Sequence, residues 1–198
     1  MKVEPHMIPV PPQVPQSRSR FWRWVGVRGL ALMGWRFEGE IPDIPKAVVI
    51  VAPHSSNWDG LIGFFGKLAL GLRITFVAKR ELFFWPVGGL LRRMGFLPVD
   101  RRAAGSLVHQ VASRLRAADS MWFGLTPEGT RSRVEKWKSG FWHIAHASGV
   151  PIVCAYFHYP ARTMGFGPVV HTSDDPAADM ARIRAFYVPW MGKRRGTV

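Results

Sequence analysis

The chain has 198 residues, enough for one domain with a sizeable core and short for two. Hydrophobic residues make up 47% of it and charged residues 20%, a composition that excludes an intrinsically disordered protein. Lys and Arg number 27 against 13 Asp and Glu, so the formal net charge of +14 favours an anionic partner: a nucleic acid, an anionic bilayer or a phosphorylated substrate.

The nine tryptophans favour a membrane among these partners, because indole rings prefer the headgroup zone of a bilayer. The single cysteine, Cys154, excludes an internal disulfide and fits a reducing compartment, and the sequence starts with a proline-rich segment instead of an apolar signal core. A spanning helix needs about 18 nearly uninterrupted apolar residues, and charged residues or prolines interrupt every candidate stretch. We therefore expect a peripheral protein at the cytoplasmic face of the cell membrane.

The amino-terminal part of the sequence predicts two segments. Residues 1–16 contain five prolines and predict an extended or loosely ordered arm, followed by a single domain over residues 17–198. The domain starts with a helical segment, residues 17–34, in which aromatic and aliphatic residues alternate with arginines on different sides of the helical wheel. Two interpretations stay open: the helix packs on the domain, or it attaches to a bilayer with its arginines on lipid phosphates.

Further along the chain, short runs rich in β-branched and aromatic residues alternate with longer segments of helical periodicity. The predicted strands are residues 47–52, 74–78, 121–125 and 152–157. The predicted helices are residues 57–70, 81–94, 103–117 and 139–148, with a last helix starting at 175–176. This alternation predicts an α/β fold with a mainly parallel central sheet flanked by helices, and with ligands near the carboxyl ends of the strands.

His54 and Asp59 lie between the first of these strands and the helix that follows it. Residues five apart on one helix point in different directions, but a helix that begins near Ser56 leaves His54 on a turn that can fold back onto the carboxylate. A carboxylate that is hydrogen-bonded to one imidazole nitrogen fixes the tautomer of the ring. The other nitrogen can then act as a general base that takes the proton of a hydroxyl group. The alternative is that a polar residue at 55–57 caps the helix and His54 has no role.

A second polar segment, residues 126–133, follows the predicted strand 121–125. Gly129 lets the backbone approach a ligand closely, the Thr130 hydroxyl can donate, and Arg131 can grip two oxygens of a phosphate or carboxylate. The segment predicts an anion-binding loop, and an ordinary polar surface loop is the alternative.

Taken in order, these segments resemble the glycerolipid acyltransferase family, the lysophosphatidic acid acyltransferases and their relatives. His54-Ser-Ser-Asn-Trp-Asp59 resembles the HX4D motif of that family. Gly-Phe-Leu-Pro-Val-Asp-Arg at 95–101, Pro-Glu-Gly-Thr-Arg-Ser at 127–132 and Val-Pro-Ile-Val at 150–153 are similar to its second, third and fourth blocks. Lys-Arg-Glu-Leu at 79–82 also matches a stretch usual in relatives. The ordered set spans about half the chain and is far more specific than any single block.

The resemblance implies a role for each matching residue, with His54 as base and Asp59 as the group that orients it. It implies an acceptor headgroup site made of Arg101, Glu128, Gly129, Thr130 and Arg131. Asn57 and Lys79 are candidate supporting residues. Departures at Pro53, Thr126 and Cys154 leave the base intact and the acceptor open.

The resemblance also implies the substrates. An acyl thioester, acyl-CoA or acyl-ACP, is the expected co-substrate, a lysophospholipid such as 1-acylglycerol-3-phosphate is the expected acceptor, and no cofactor or metal is expected. A lyso-aminolipid or a more specialised hydroxyl compound stays open as the acceptor, because arginines grip phosphate and carboxylate alike.

Two regions are candidates for the acyl site or for membrane contact. The first is the apolar stretch Phe83, Phe84 and Trp85, which predicts a membrane-facing lip or acyl channel, with a plain core helix as the alternative. The second is the fourth block, with Val150 and Pro151, which the resemblance implies to shape the acyl site.

Two rival functions fit the charge and the aromatic content. A nucleic-acid-binding module would bind oligonucleotides with an affinity that falls steeply with salt, but the sequence contains no recognised binding motif. A catalytically silent membrane adaptor would bind liposomes without consuming a thioester. We expect an anionic membrane surface, the two substrates and an acyl carrier protein as partners, and no nucleic acid; the oligomeric state stays open.

Overall fold

The computed structural model describes residues 7–99, 104–130 and 137–194. In these ranges seven strands form one sheet: β1 (Arg36–Glu38), β2 (Lys46–Ala52), β3 (Ile74–Lys79), β4 (Phe96–Val99), β5 (Met121–Leu125), β6 (Ile152–His158) and β7 (Thr163–Val170). The helices are α1 (Arg20–Met33), α2 (Asn57–Leu70), α3 (Val87–Arg93), α4 (Ala104–Ala117), α5 (Gly140–Ser148) and α6 (Pro176–Tyr187), with a 3₁₀ turn at Arg80–Leu82.

The sheet is mainly parallel, as the alternation of strands and helices predicts. Its strand order is β1-β7-β6-β2-β5-β3-β4, and among the described strands only the β6–β7 pair is antiparallel. The fold class predicted from the sequence is therefore confirmed.

Helices cover both faces of the sheet because its central strands are apolar on both sides. Along β2, Val48 and Ile50 belong to the core beneath α4, α5 and α6, whereas Ala47 and Val49 belong to the core beneath α1 and α2. Since successive side chains of a strand point to opposite faces, a continuous apolar run such as β2 needs a helical layer on each side.

Helix α1 packs closely on α2. A Cβ atom at Gly26 would lie 2.7 Å from the Cα atom of Ala69, so this contact depends on the absence of a side chain at position 26. The first interpretation of residues 17–34, a helix packed on the domain, therefore describes one face of α1. Four large apolar side chains of α1 are nevertheless exposed, and these are Phe21, Trp22, Trp24 and Leu32.

The described part of the proline-rich arm also packs on the domain. Ile8 and Val14 are buried in the core beneath α1 and α2, and Ser17 donates its backbone N–H to Gly71 O at 2.7 Å. Within residues 7–99, 104–130 and 137–194, no helix is both long enough and apolar enough to cross a bilayer.

The structure differs from the predicted elements in two respects. The predicted helix at 81–94 is a 3₁₀ turn followed by the shorter α3, which begins directly after Pro86, a residue whose ring disfavours helix at the position before it. The sequence reading also missed β1, β4 and β7. These strands carry weak signals, because β1 has three residues, β4 contains Pro98 at the sheet edge, and β7 contains Gly165, Gly167 and Pro168.

The carboxyl ends of the three central strands lie at one edge of the sheet. β5 and β6 flank β2 on either side and run parallel to it, so the loops after all three strands emerge together. The helix after β2 packs on one face, and the helix after β5 packs on the other. A point where helices leave neighbouring parallel strands for opposite faces is the position where α/β sheets bind ligands.

Candidate active site

The two members of the predicted base unit, His54 and Asp59, lie on the loop after β2 and in the first turn of α2, respectively. β2 ends at Ala52, and α2 begins at Asn57 with Ser56 as its N-cap in an extended conformation. The Ser56 hydroxyl accepts the Trp58 backbone N–H at 3.2 Å, and the Asp59 carboxylate accepts the Ser56 backbone N–H at 2.7 Å, forming a capping box. The capping interpretation of this segment is therefore correct for Ser56, and it is also what fixes the position of Asp59.

The His54 ring folds back onto Asp59. Its Nδ1 atom lies 3.3 Å from Asp59 Oδ2; the imidazole is 20% exposed and the carboxylate is fully buried. A proton on Nδ1 held by this carboxylate makes Nε2 the basic nitrogen of the neutral ring. The structure therefore brings together the two residues that the HX4D spacing singled out.

The buried Asp59 carboxylate is held on several sides. Oδ2 accepts the backbone N–H groups of Ser55 and Ser56, each at 2.7 Å, and Oδ1 accepts the hydroxyl of Tyr159. Burial by itself would raise the pKa of Asp59, but the hydrogen bonds from His54, Tyr159 and the two N–H groups outweigh it and hold the pKa below its ordinary value. Asp59 is therefore a fixed negative charge beside the imidazole.

Glu128 reaches the same loop from the neighbouring strand. It follows β5, is 2% exposed, and its Oε2 atom accepts the backbone N–H of His54 at 2.8 Å. The resemblance implies a role for this residue around the acceptor headgroup, and the structure shows its carboxylate against the loop that carries His54. A buried hydrogen bond of this kind holds the backbone of His54 in position.

The other predicted residues of the acceptor site are only partly described. Gly129 has φ +65, a conformation that favours glycine, and closes a turn by donating its N–H to Thr126 O at 3.2 Å. Thr130 is exposed next to it. Arg101 and Arg131 lie outside the described residues, as does the side chain of Lys79, and Asn57 is the exposed first residue of α2.

The structure does not bring the fourth block to this site. Val150 and Pro151 precede β6, whereas His54 follows β2, and the two strands are parallel. The block therefore lies at the opposite edge of the sheet, about 20 Å away along β6. Val150 is buried in the core, and Pro151 O accepts the backbone N–H of Val48 at 2.9 Å. Val150 and Pro151 therefore do not lie beside His54, and the implied role of this block in shaping the acyl site stays a prediction.

The apolar stretch after β3 is largely exposed. Trp85 is 91% exposed, Phe84 is 59% exposed, and Phe83 is partly buried beneath the guanidinium group of Arg92. A plain core helix is therefore excluded for Phe84 and Trp85.

The sequence reading missed Tyr159 and the segment 191–193. Tyr159 follows β6 directly, so it emerges at the same edge as His54, and this position after a predicted strand was the signal available in the sequence. Met191 O accepts the Tyr159 N–H at 3.0 Å, and Ser55 Oγ accepts the Lys193 N–H at 2.9 Å. The segment 191–193 is thus hydrogen-bonded both to the loop after β2 and to the loop after β6.

Glu128→Ala should lower the free energy of unfolding by about 1–3 kcal/mol, because it removes the buried carboxylate that accepts the His54 N–H. Glu128→Gln retains one side-chain oxygen and should lower the free energy of unfolding by less. Urea unfolding of the two variants and the unmodified protein measures the difference. Equal stability of all three would contradict a bracing role for this carboxylate.

The fold and the site together define a class of protein. A mainly parallel α/β sheet with an imidazole–carboxylate pair at the carboxyl end of a central strand is suited to general-base chemistry at a hydroxyl. The chain belongs to the Acyltransferase family, whose model matches residues 36–158. The match includes His54, Asp59 and Glu128, and it ends immediately before Tyr159.

Named relatives agree with this assignment. The chain is 30% identical over 149 residues to the 1-acyl-sn-glycerol-3-phosphate acyltransferase of Haemophilus influenzae, covering 69% of this chain and 60% of that protein. It is 34% identical over 149 residues to the lyso-ornithine lipid O-acyltransferase of Brucella abortus, covering 65% of this chain and 52% of that protein. The chain thus spans 60% and 52% of the lengths of these two curated relatives.

A solved structure has a similar fold. The crystal structure of the 1-acyl-sn-glycerophosphate acyltransferase PlsC from Thermotoga maritima matches with a TM-score of 0.61 and 19% identity, over 82% of this chain and 73% of that one. The family resemblance read from the ordered motifs is confirmed.

Proposed function

We propose that the protein is an O-acyltransferase that moves a fatty acyl group from an acyl thioester to the hydroxyl of a lysolipid at a membrane surface. The observation that carries the proposal is the His54 ring, 3.3 Å from a buried carboxylate whose pKa is lowered, at the carboxyl edge of the sheet. The family membership and the names of the two relatives support it.

The reaction needs one proton carrier. The acceptor hydroxyl gives its proton to Nε2 of His54 while its oxygen bonds to the thioester carbonyl carbon. The carbon–sulfur bond of the resulting tetrahedral adduct then breaks, and the imidazolium returns the proton to the departing thiolate. Asp59 stabilises the imidazolium between the two steps and keeps the ring in the required orientation.

No protein nucleophile is required, because the acceptor hydroxyl takes the place that serine has in a hydrolase triad. The single cysteine supports this scheme. Cys154 is fully buried within β6, and burial raises the pKa of its thiol to about 12, so it stays protonated and out of reach of a thioester. A direct transfer between the two substrates is therefore the simplest route.

The acceptor is an anionic or zwitterionic lysolipid in this proposal. One relative is named for 1-acyl-sn-glycerol-3-phosphate and the other for lyso-ornithine lipid, so both headgroups are candidates. Arg101 and Arg131 are the expected anion-gripping residues, and this role stays a prediction. Acyl-CoA and acyl-ACP are both candidate donors.

The outer face of α1 is the proposed membrane contact. Its exposed Phe21, Trp22 and Trp24 lie among the exposed arginines 20, 23 and 28, a combination of apolar rings and cations that suits an anionic headgroup layer. Phe84 and Trp85, exposed after β3 near the carboxyl edge of the sheet, are a second candidate contact.

Trp24→Glu and Trp85→Glu, made singly, should each weaken binding to phosphatidylglycerol-containing vesicles by about tenfold or more, because each loses an apolar ring and adds a repelled charge. Vesicle co-sedimentation measures the binding, and circular dichroism checks the fold. Val188→Glu is the matched control, since Val188 is 56% exposed at the end of α6, on the other face of the sheet. Unchanged binding of both tryptophan variants would contradict these contacts.

The proposed activity is tested by incubating the purified protein with an acyl thioester and a panel of lysolipids that includes 1-acylglycerol-3-phosphate and lyso-ornithine lipid. Thiol release and product mass are followed together. Thiol release coupled to one acylated product is the expected result. Vesicle binding without thioester consumption would identify a silent adaptor, and salt-sensitive oligonucleotide binding without acyl transfer would identify a nucleic-acid module.

A further inference from the structure

Tyr159 contacts the base unit from outside the region that matches the family. It follows β6, and its hydroxyl donates a hydrogen bond to Asp59 Oδ1 across a sequence separation of 100 residues. The two oxygens of Asp59 thus have different partners. Oδ2 accepts two backbone N–H groups and faces Nδ1 of His54, whereas Oδ1 accepts the tyrosine hydroxyl.

We propose that Tyr159 is a positioning residue of the acyl transfer reaction, which fixes the rotation of the Asp59 carboxylate and so aims Oδ2 at the His54 ring. This inference rests on the proposed function and deepens it. Rotation about the Cβ–Cγ bond moves both carboxylate oxygens, so it is resisted by the Ser55 and Ser56 N–H groups at Oδ2 and by the Tyr159 hydroxyl at Oδ1. The tyrosine is the side-chain donor at the second oxygen, and it narrows the range of rotation that the two N–H groups leave.

The tyrosine is itself held in place. Its ring packs edge-on against Trp35, with 4.9 Å between the ring centroids and an interplanar angle of 84°. Its backbone N–H donates to Met191 O at 3.0 Å, and its carbonyl accepts the Arg162 N–H at 3.2 Å. The main-chain hydrogen bonds and the packing of the ring therefore hold the hydroxyl next to Asp59.

The charge state of the hydroxyl suits this role. Burial, and then the hydrogen bond to the Asp59 carboxylate, raise the pKa of Tyr159 above its ordinary value. The phenol therefore stays protonated at neutral pH and can donate to the carboxylate.

Tyr159→Phe tests the proposal, because it removes the hydroxyl and retains the ring that packs on Trp35. A hydrogen bond to a charged group corresponds to about a tenfold to hundredfold effect, so we expect kcat to fall by that factor. The KM values for the thioester and the lysolipid should change by less than about twofold, because a positioning residue acts on the reaction through Asp59 and not through substrate binding.

Tyr156→Phe is the matched control. Tyr156 lies three residues earlier, and its ring stacks on Trp190 in the core on the other face of the sheet. The same chemical change there should leave kcat within about twofold of the unmodified protein. A Tyr159→Phe variant with unchanged kcat, or a loss that Tyr156→Phe shares equally, would overturn the proposal.

A measurement independent of activity separates this proposal from the proposed function. The carbon-13 shift of the Asp59 carboxyl group is followed against pH. The titratable side chains that contact it are His54 and Tyr159, and Glu128 accepts the backbone N–H of His54. Tyr159→Phe should move the Asp59 midpoint upward, because losing a donor disfavours the carboxylate. The unmodified protein should titrate below the ordinary carboxyl range.

An Asp59 midpoint within or above the ordinary range in the unmodified protein, or one unmoved in Tyr159→Phe, overturns the role of Tyr159 even if acyl transfer is observed. If no lysolipid is acylated but the midpoint moves as expected, the proposed function fails and the contact between Tyr159 and Asp59 stands.

Discussion

His54→Ala should lower kcat for acyl transfer by about 10²–10⁴-fold, the usual share of a general base. Without the imidazole, the hydroxyl must lose its proton to water while it attacks the thioester. The fold should survive, because the side chain is a partly exposed loop residue and not a member of either core. Thiol release under saturating substrates measures kcat, and thermal melting followed by circular dichroism measures the fold.

His143→Ala is the matched control for this change. His143 is exposed on α5, on the core side opposite α2, and removing its ring should leave kcat within about twofold. A folded His54→Ala variant with near-full activity would end the assignment of His54 as the base.

Asp59→Asn should have an effect of similar size, about 10²–10⁴-fold on kcat, because the neutral amide neither stabilises an imidazolium nor holds the required tautomer. The amide also fits its surroundings poorly. The carboxylate accepts from two backbone N–H groups, a tyrosine hydroxyl and the imidazole, whereas an asparagine offers one oxygen and adds two donors of its own. A loss of stability of about 1–3 kcal/mol should accompany the loss of activity.

The stability difference between the unmodified protein and Asp59→Asn should depend on pH in a known direction. The folded-state pKa of Asp59 lies below its unfolded value, so its contribution is fully present above about pH 4 to 5 and is lost as pH falls through the folded-state pKa. Urea unfolding at pH 7 and in steps below pH 4 measures this. A stability difference between the two proteins that grows as the pH falls would contradict a lowered pKa for Asp59.

Asp179→Asn is the control for burial of a carboxylate. Asp179 is 2% exposed on α6 and accepts hydrogen bonds from Trp142 Nε1 at 2.9 Å and from the Ser173 N–H at 2.7 Å. The loss of the Asp179 carboxylate should lower the free energy of unfolding and leave kcat nearly unchanged. If both asparagine variants lose activity equally, the loss reflects general destabilisation and not the base unit.

The fold class was predictable because its strongest signals are local. The apolar runs that became β2, β5 and β6 are buried on both faces, and buried parallel strands differ from amphipathic segments in the sequence itself. The strands that were missed lie toward the margins of the sheet. There a proline or glycine is tolerated, and the hydrophobic pattern weakens.

The base pair was predictable for a similar reason. His54 and Asp59 are five residues apart, and one helix start, with Ser56 as its cap, is enough to bring them together. The position of the fourth block was not predictable in this way, because a motif's place in the chain does not tell which edge of the sheet it occupies. Val150 precedes its strand, whereas the site lies after the strands.

The sequence by itself therefore determined the alternation of strands and helices, the parallel sheet, and the local geometry of the HX4D loop. The tertiary structure alone decided which distant groups surround that loop. Glu128 lies 74 residues from His54, and Tyr159 lies 100 residues from Asp59; both arrive because β5 and β6 flank β2. Periodicity and capping act over a few residues, but strand order depends on packing of the whole core, which no local pattern encodes.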